Sequence, residues 1–296
     1  MRVIFSCENT LYMRWQAELL HYSYARSGMR AQLTALVSDT GEPLSGFPCE
    51  TFRVSNYRAR LPNDIYEPLN KPGAILEWAV RGGSSSDTVL IVDPDSFFFR
   101  PIPDLGPLGK REACADVHEY MRPDLPYNRL VLDRHCPQER RAFFQPVGIY
   151  ILIRRDDLAA LAPRWFEKAM DIRSDKACRE KMPHGGWISE MLAYAIAAAE
   201  CGIRHRISRF AQSTGTGSLE SAIIHYCFPI NASGLGWRNK QHEPVLWSKW
   251  DYKPWEHPPV ERAPTAESRT LLRGLAELAS GKRAAASQNG RQPRPR

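Results

Sequence analysis

Thr88-Val89-Leu90-Ile91-Val92-Asp93-Pro94-Asp95 is the stretch that decides the fold. Four apolar residues follow Thr88 with no polar alternation, which predicts a central parallel strand covered on both faces. The run then stops at two carboxylates. Side chains of an extended segment alternate with a period of two, so Asp93 and Asp95 point the same way. Open α/β sheets bind ligands at the carboxyl ends of their strands. Two convergent carboxylates there form a ligand set for a hard divalent cation such as Mn²⁺ or Mg²⁺, which in turn can hold a diphosphate. Crowded like charges repel, and a bound cation removes that cost. Asp-Pro-Asp is also ordinary turn chemistry, and Pro94 stiffens either arrangement.

Upstream, Val3-Ile4-Phe5 predicts a short buried strand, followed by a helix with Leu11, Trp15, Leu19 and Tyr22 at helical spacing. Ser27-Gly28 ends that helix, and Leu33–Val37 predicts a second strand. Strand, helix and strand in this order indicate a parallel unit of the doubly wound kind. Residues 62–72 read as a loop, Ala74–Val80 as a short helix. Downstream, Gly148–Ile153 predicts a strand, Asp156 opens a helix carrying Leu161 and Trp165, and Trp187–Ala199 is a long apolar helix. Ile203–Ile207 and Ala222–Tyr226 read as late strands. Beyond Phe228 the chain is rich in Trp, Pro and Lys, and reads as an irregular segment packed back on the domain. The array predicts a single α/β domain with a mostly parallel central sheet flanked by helices. It spans residues 1–263, with a C-terminal helix over 264–280.

The chain has 296 residues and a formal net charge of +7. Residues 281–296 carry five Lys and Arg and no acid, so the remaining body is close to neutral at +2. That basic tail is rich in Ala, Gln, Gly and Pro and is expected to be disordered. No stretch approaches the roughly 20 apolar residues needed to span a bilayer. The opening residues lack a signal-peptide core, and the seven cysteines are scattered without a C-x-x-C pair, so the sequence predicts a cytoplasmic protein without disulfides.

Two further residues draw attention. His225, in Ile223-Ile224-His225-Tyr226, is either a satisfied core histidine or a third metal ligand. Glu190 begins an otherwise apolar helix, where it either stabilises the helix dipole or presents a carboxylate to a ligand.

Taken together, several segments resemble the plant and algal hydroxyproline O-arabinosyltransferases and the peptidyl serine O-galactosyltransferases. They are Leu69-Asn70-Lys71-Pro72 with Ile75-Leu76-Glu77-Trp78, then Ile91–Asp95 with Phe98, Arg100-Pro101 and Pro103. Arg155-Asp156-Asp157-Leu158 with Ala162-Pro163 and Trp165 follows, then Trp187-x-x-Glu190-Met191 with Tyr194–Ala197. Gly202–His205, Ile223–Tyr226 and Trp250-Asp251-Tyr252-Lys253 complete the order, and the resemblance covers roughly residues 2–258. It implies a GT-A nucleotide-diphospho-sugar transferase with a UDP-sugar donor and retention of anomeric configuration. By the same resemblance Asp93 and Asp95 hold Mn²⁺ (or Mg²⁺) with His225 as a further ligand. Asn70 and Lys71 serve donor binding, Lys71 against phosphate, and Glu190 joins Asp95 as a catalytic residue near the donor sugar. The acceptor is a hydroxyl, on a peptidyl hydroxyproline or serine, a glycan or a small molecule, with contacts sought between Asp116 and Arg140.

Two other classes compete. A nucleotidyltransferase acting on a sugar phosphate shares the strand-plus-acidic-pair logic, but no Gly-rich basic loop follows the first strand. A nucleic-acid binder could stack bases on Trp237, Trp247, Trp250 and Trp255, interleaved with Arg238, Lys240, Lys249 and Lys253. Nucleic acid is not an expected partner, because such Trp residues are more often packed.

Overall fold

The computed structural model of the chain describes residues 1–44, 46–62, 64–181, 186–212, 221–232, 234–235 and 243–289. Trp237, Arg238, Lys240 and the end of the basic tail lie outside the described residues. The chain divides into two compact units. The first comprises Met1–Met13, Arg30–Pro94 and Asp104–Arg209, and the second Arg14–Met29, Asp95–Pro103 and Phe210–Arg296.

The first unit is built on a seven-stranded sheet. Its strands are β1 (Arg2–Glu8), β2 (Gln32–Ser38), β3 (Glu50–Val54), β4 (Thr88–Val92), β6 (Glu112–Val117), β7 (Val147–Arg154) and β8 (Arg204–Ile207), in the order β3-β2-β1-β4-β7-β6-β8. β5 (Ser96–Phe98) belongs to the second unit. β1 runs parallel to β2 and β4, with Val3 opposite Leu33 and Leu90. β7 is antiparallel to both β4 and β6. The central strand β4 therefore has one parallel and one antiparallel neighbour; its unbroken apolar run reports burial on both faces rather than wholly parallel pairing.

Five helices complete this unit: α2 (Asn70–Val80), α3 (Pro126–His135), α4 (Arg155–Ser174), α5 (Lys176–Lys181) and α6 (Ser189–Cys201). α4 packs on both α2 and α6. α6 is buried from Ser189 to Ala199, as a helix apolar all round should be. Gly202 ends it in the left-handed conformation, φ 69°, that few other residues adopt.

Two helix starts differ from the sequence reading. α2 begins at Asn70 rather than Ala74. Pro72 sits in its first turn, where no intrahelical N–H is needed, so a residue that looked like the end of a loop lies inside the helix. α6 begins at Ser189, leaving Trp187 outside it and 49% exposed.

Pairing of β6 with β7 shifts between Ala115 and Asp116, and Ile149 on the facing strand takes φ 63°. A β-branched residue in that region is a genuine outlier, and such irregularities cluster where a sheet edge is shaped for function.

The second unit takes α1 (Leu11–Arg26) from Arg14 onward and two small sheets. In one, β5 (Ser96–Phe98) is antiparallel to β10 (Ile223–His225), which is parallel to β9 (Ala211–Gln212). In the other, β11 (Ile230–Asn231) lies between β12 (Gly234–Leu235) and β13 (Val245–Trp247). Trp15 and Leu19 of α1 join Tyr226, Trp247 and Leu271, Leu272 and Leu275 in one buried cluster. Trp15 stacks on Tyr226 at 6.2 Å and meets Tyr252 edge-on at 5.0 Å. Of the Trp-rich segment, Trp247 is core and Trp255 packs against the same cluster, whereas Trp250 is exposed.

The C-terminal helix α7 runs Ala266–Asn289, past the expected end at Ser280 and through the first part of the expected disordered tail. Ala284-Ala285-Ala286 are strong helix formers and no proline intervenes before Pro293. Beyond Ser280, Lys282 pairs with Glu18 and Arg283 donates to the Trp255 carbonyl.

Two glycines in helices should respond in opposite directions. A Cβ on Gly73 of α2 would lie 2.4–2.9 Å from the Tyr57 ring. That ring is held by a hydrogen bond to Glu77 and by edge contact with Phe166. Gly73→Ala should therefore cost about 1–3 kcal/mol through overpacking, read as a lower urea midpoint. A Cβ on Gly281 meets nothing within 4 Å. Gly281→Ala should stabilise α7 by about 1 kcal/mol, read as slower amide exchange in its last turns.

Candidate active site

In the first unit, β4 delivers Asp93 one residue past its carboxyl end, and α2 and α6 each bring a charged residue in their first turn. Lys71 Nζ lies 2.7 Å from Asp93 Oδ1 and 3.7 Å from Glu190 Oε1. Lys71 is 9% exposed and Glu190 7%. A lysine at a helix N-terminus is disfavoured by the helix dipole, so the two carboxylates supply what the helix does not.

Glu190 is strongly perturbed. Burial pushes its carboxyl up to about 7, with Asp93 adding and Lys71 opposing. Its Oε2 is buried with no hydrogen-bond partner among the described residues. A buried carboxyl poised near neutrality with an unsatisfied oxygen is the sort of group that meets a ligand.

Asn70 is fully engaged. Its Nδ2 donates to Glu8 Oε1 at 2.8 Å, and its Oδ1 accepts the Tyr57 N–H at 2.6 Å. Glu8, at the carboxyl end of β1, also accepts from Arg58 at 3.2 Å, and burial raises its carboxyl above the usual range. Asn70 thus clamps the end of β1 to the start of α2.

In the second unit, Asp95 is 5% exposed and its Oδ2 lies 3.0 Å from His225 Nε2. The pairing follows from strand register, since β5 and β10 place His225 opposite Ser96. Lys249 Nζ reaches the same Asp95 oxygen. Burial alone would raise Asp95, but His225 and Lys249 outweigh it and hold the carboxyl well below its usual range. Burial alone would lower His225, but Asp95 keeps it well above the ordinary imidazole value.

A carboxylate oxygen and an imidazole nitrogen 3.0 Å apart suit an ion such as Mn²⁺, which accepts both donor types. The Lys249 ammonium provides the positive charge at that oxygen here, and a metal would take its place. Lys249 was not read from the sequence as a site residue. It is 7% exposed, within the Trp-rich segment. Its partner is 154 residues away, and no local pattern announces that contact. Tyr66, whose hydroxyl accepts the Glu190 N–H, was missed for the same reason.

Residues 1–207 match the N-terminal domain of the hydroxyproline O-arabinosyltransferase family. The chain belongs to that family. Among its relatives, the peptidyl serine alpha-galactosyltransferase of Arabidopsis thaliana is 28% identical over 260 residues, covering 82% of this chain and 32% of the relative. The hydroxyproline O-arabinosyltransferase RDN2 of Medicago truncatula is 24% identical over 245 residues, covering 76% of this chain and 64% of the relative. The chain thus spans about a third and just under two thirds of these two relatives. Among solved structures, the galactosyltransferase LgtC in complex with donor and acceptor sugar analogs superposes with a TM-score of 0.53 at 13% identity. It covers 94% of this chain and 96% of that one. This likeness is one of fold, and it places the family member's α/β architecture with the GT-A glycosyltransferases. Among the described residues no helix is long and apolar enough to cross a membrane.

Glu190 gives the family member a measurable pH signature. Its folded value, about 7, lies above the unfolded value near 4.5, so its stabilising effect is complete below pH 4.5 and lost as pH rises through 7. Glu190→Gln does not titrate. Its stability should therefore gain on the native protein between pH 5 and pH 8 by up to about 3 kcal/mol, as measured by urea midpoints at both pH values. An unchanged difference between the two proteins refutes the assignment.

Proposed function

We propose that the protein is a metal-dependent, retaining glycosyltransferase. It moves a sugar, arabinofuranose or galactose, from a UDP donor to a peptidyl hydroxyl, that of hydroxyproline or serine. The observation that carries this reading is the cluster of buried Lys71 and Glu190 with half-buried Asp93 at the carboxyl end of β4. The names of the relatives supply the sugars and the acceptors.

Asp95 and His225 are the proposed metal ligands, and Asp93 keeps the ligand role that its position two residues upstream gives it. When bound, the divalent cation neutralises the diphosphate and stabilises it as a leaving group. Lys249, released from Asp95, has a diphosphate oxygen as its natural counter-charge, and Lys71 offers a second ammonium for the same purpose. Glu190 near neutrality can donate a hydrogen bond to a sugar hydroxyl as the acid or accept one as the carboxylate. Among the described residues no disulfide joins any of the seven cysteines, which fits a reducing compartment such as the cytoplasm.

The test is a screen of UDP-sugars with Mn²⁺, following UDP release and melting temperature. One UDP-sugar should raise the melting temperature only when metal is present, and UDP release should follow when a hydroxyproline or serine peptide is added. Asp95→Asn should reduce turnover at least about a hundredfold, the scale lost when a group stabilising transition-state charge is removed. Lys249→Met should weaken UDP binding by about tenfold or more, the worth of one charged hydrogen bond. Full activity in Asp95→Asn sinks the metal assignment. Pyrophosphate release from UTP and a sugar phosphate would instead establish the nucleotidyltransferase reading.

A further inference from the structure

Helix α6 has no side-chain cap of its own: Ile188 occupies the N-cap position. The task falls to Tyr66, distant in sequence and 3% exposed. Its hydroxyl accepts the Glu190 N–H at 3.0 Å and donates to the Trp187 carbonyl at 2.6 Å. One oxygen thus fixes two residues three positions apart. The ring is itself immobilised, with the Arg173 guanidinium 4.2 Å over its face and Arg173 bound to both Asp64 oxygens at 2.9 and 2.7 Å. Trp165 Nε1 holds the Glu190 carbonyl at 2.8 Å, and Ser189 Oγ holds the Gly186 carbonyl at 2.6 Å.

This much backbone anchoring surrounds an indole that is 49% exposed. Ile65, next to the anchoring tyrosine, is 68% exposed. Large apolar side chains left open on a rigid frame lose little entropy on binding, and they favour an apolar partner. The neighbouring Glu190 carboxyl faces the charged cluster of Lys71 and Asp93, which suits an anionic donor. The indole does not.

Building on the proposed glycosyltransferase reading, we propose that Trp187 is an acceptor-binding residue whose exposed face takes the pyrrolidine ring of a peptidyl hydroxyproline, and that Tyr66 is the positioning residue holding it in register with Glu190. The hydroxyproline ring presents several C–H groups to an aromatic face, whereas a serine offers a single methylene.

The test labels the protein with 5-fluorotryptophan and titrates it with a hydroxyproline peptide and a matched serine peptide, with no donor present. The resonance missing in Trp187→Phe identifies residue 187. That resonance should shift with the hydroxyproline peptide and move little with the serine peptide. Trp187→Ala should weaken hydroxyproline-peptide binding about tenfold and Trp187→Phe much less, the scale of one aromatic contact. In turnover, Trp187→Ala should raise the acceptor KM more than it lowers kcat, while Tyr66→Phe should change both. An unmoved resonance, equal shifts with both peptides, or unchanged peptide affinity in Trp187→Ala overturns the proposal. A Tyr66→Phe enzyme with native KM and kcat removes the positioning role. Because peptide binding is read without donor, a protein that shifts as expected yet turns over no UDP-sugar indicts the donor reading and leaves this inference standing.

Discussion

A lysine ammonium held between two carboxylates, in the first turn of a helix whose dipole opposes it, is the constraint around which the first unit is arranged. Lys71 can occupy that position only because Asp93 follows the end of β4 and Glu190 lies in the first turn of α6. Glu190 would not be tolerated so deeply buried as a carboxylate without the ammonium, and the buried ammonium would not be tolerated without Glu190 and the half-buried Asp93. The compensation is incomplete. Glu190 remains near neutrality with one oxygen unsatisfied, and that incompleteness is what makes the cluster receptive to a ligand. A fully satisfied ion triad would be structural and inert.

Asp93 and Asp95 illustrate how one proline can separate two electrostatic problems. Asp93 answers to Lys71, and Asp95 answers to His225 and Lys249. The second unit keeps its carboxylate ionised by surrounding it with positive charge. The first pushes its buried carboxyl Glu190 towards protonation. The same functional group is thus tuned in opposite directions by its neighbours, the usual way in which one fold supplies both an anionic ligand and a near-neutral acid.

Much of this was legible in the sequence, and what was not has physical reasons. β1, β2, β4 and β7 announced themselves because strands covered on both faces must be apolar throughout. β6 was not read: Glu112-Ala-Cys-Ala-Asp-Val carries small residues that suit a buried strand without advertising it. The start of α2 was hidden by Pro72, which marks a loop in most contexts and a first helical turn in this one. Asp93, Asp95, Glu190 and His225 were identifiable because charge in an apolar run is costly and needs a reason. Lys249 and Tyr66 were not, because each acts on a partner more than a hundred residues away and looks unremarkable in its own segment. Long-range pairing of that kind is a property of the fold.

The aromatic and leucine cluster of the second unit also bears on how the protein is made. Within that cluster Trp15 and Leu19 are synthesised long before Leu271, Leu272 and Leu275. Chains emerge from the ribosome from the N-terminus onward, so Trp15 waits for Tyr226, Trp247 and Tyr252, and the cluster lacks these three leucines until α7 has been released. The strands of the first unit are all available by residue 207, and that sheet can assemble while the rest is still being translated. The order of synthesis therefore assigns an order of closure. The unit carrying Asp95, His225 and Lys249 is completed last, and during the interval an apolar helix face is left open to chaperones or to wrong partners.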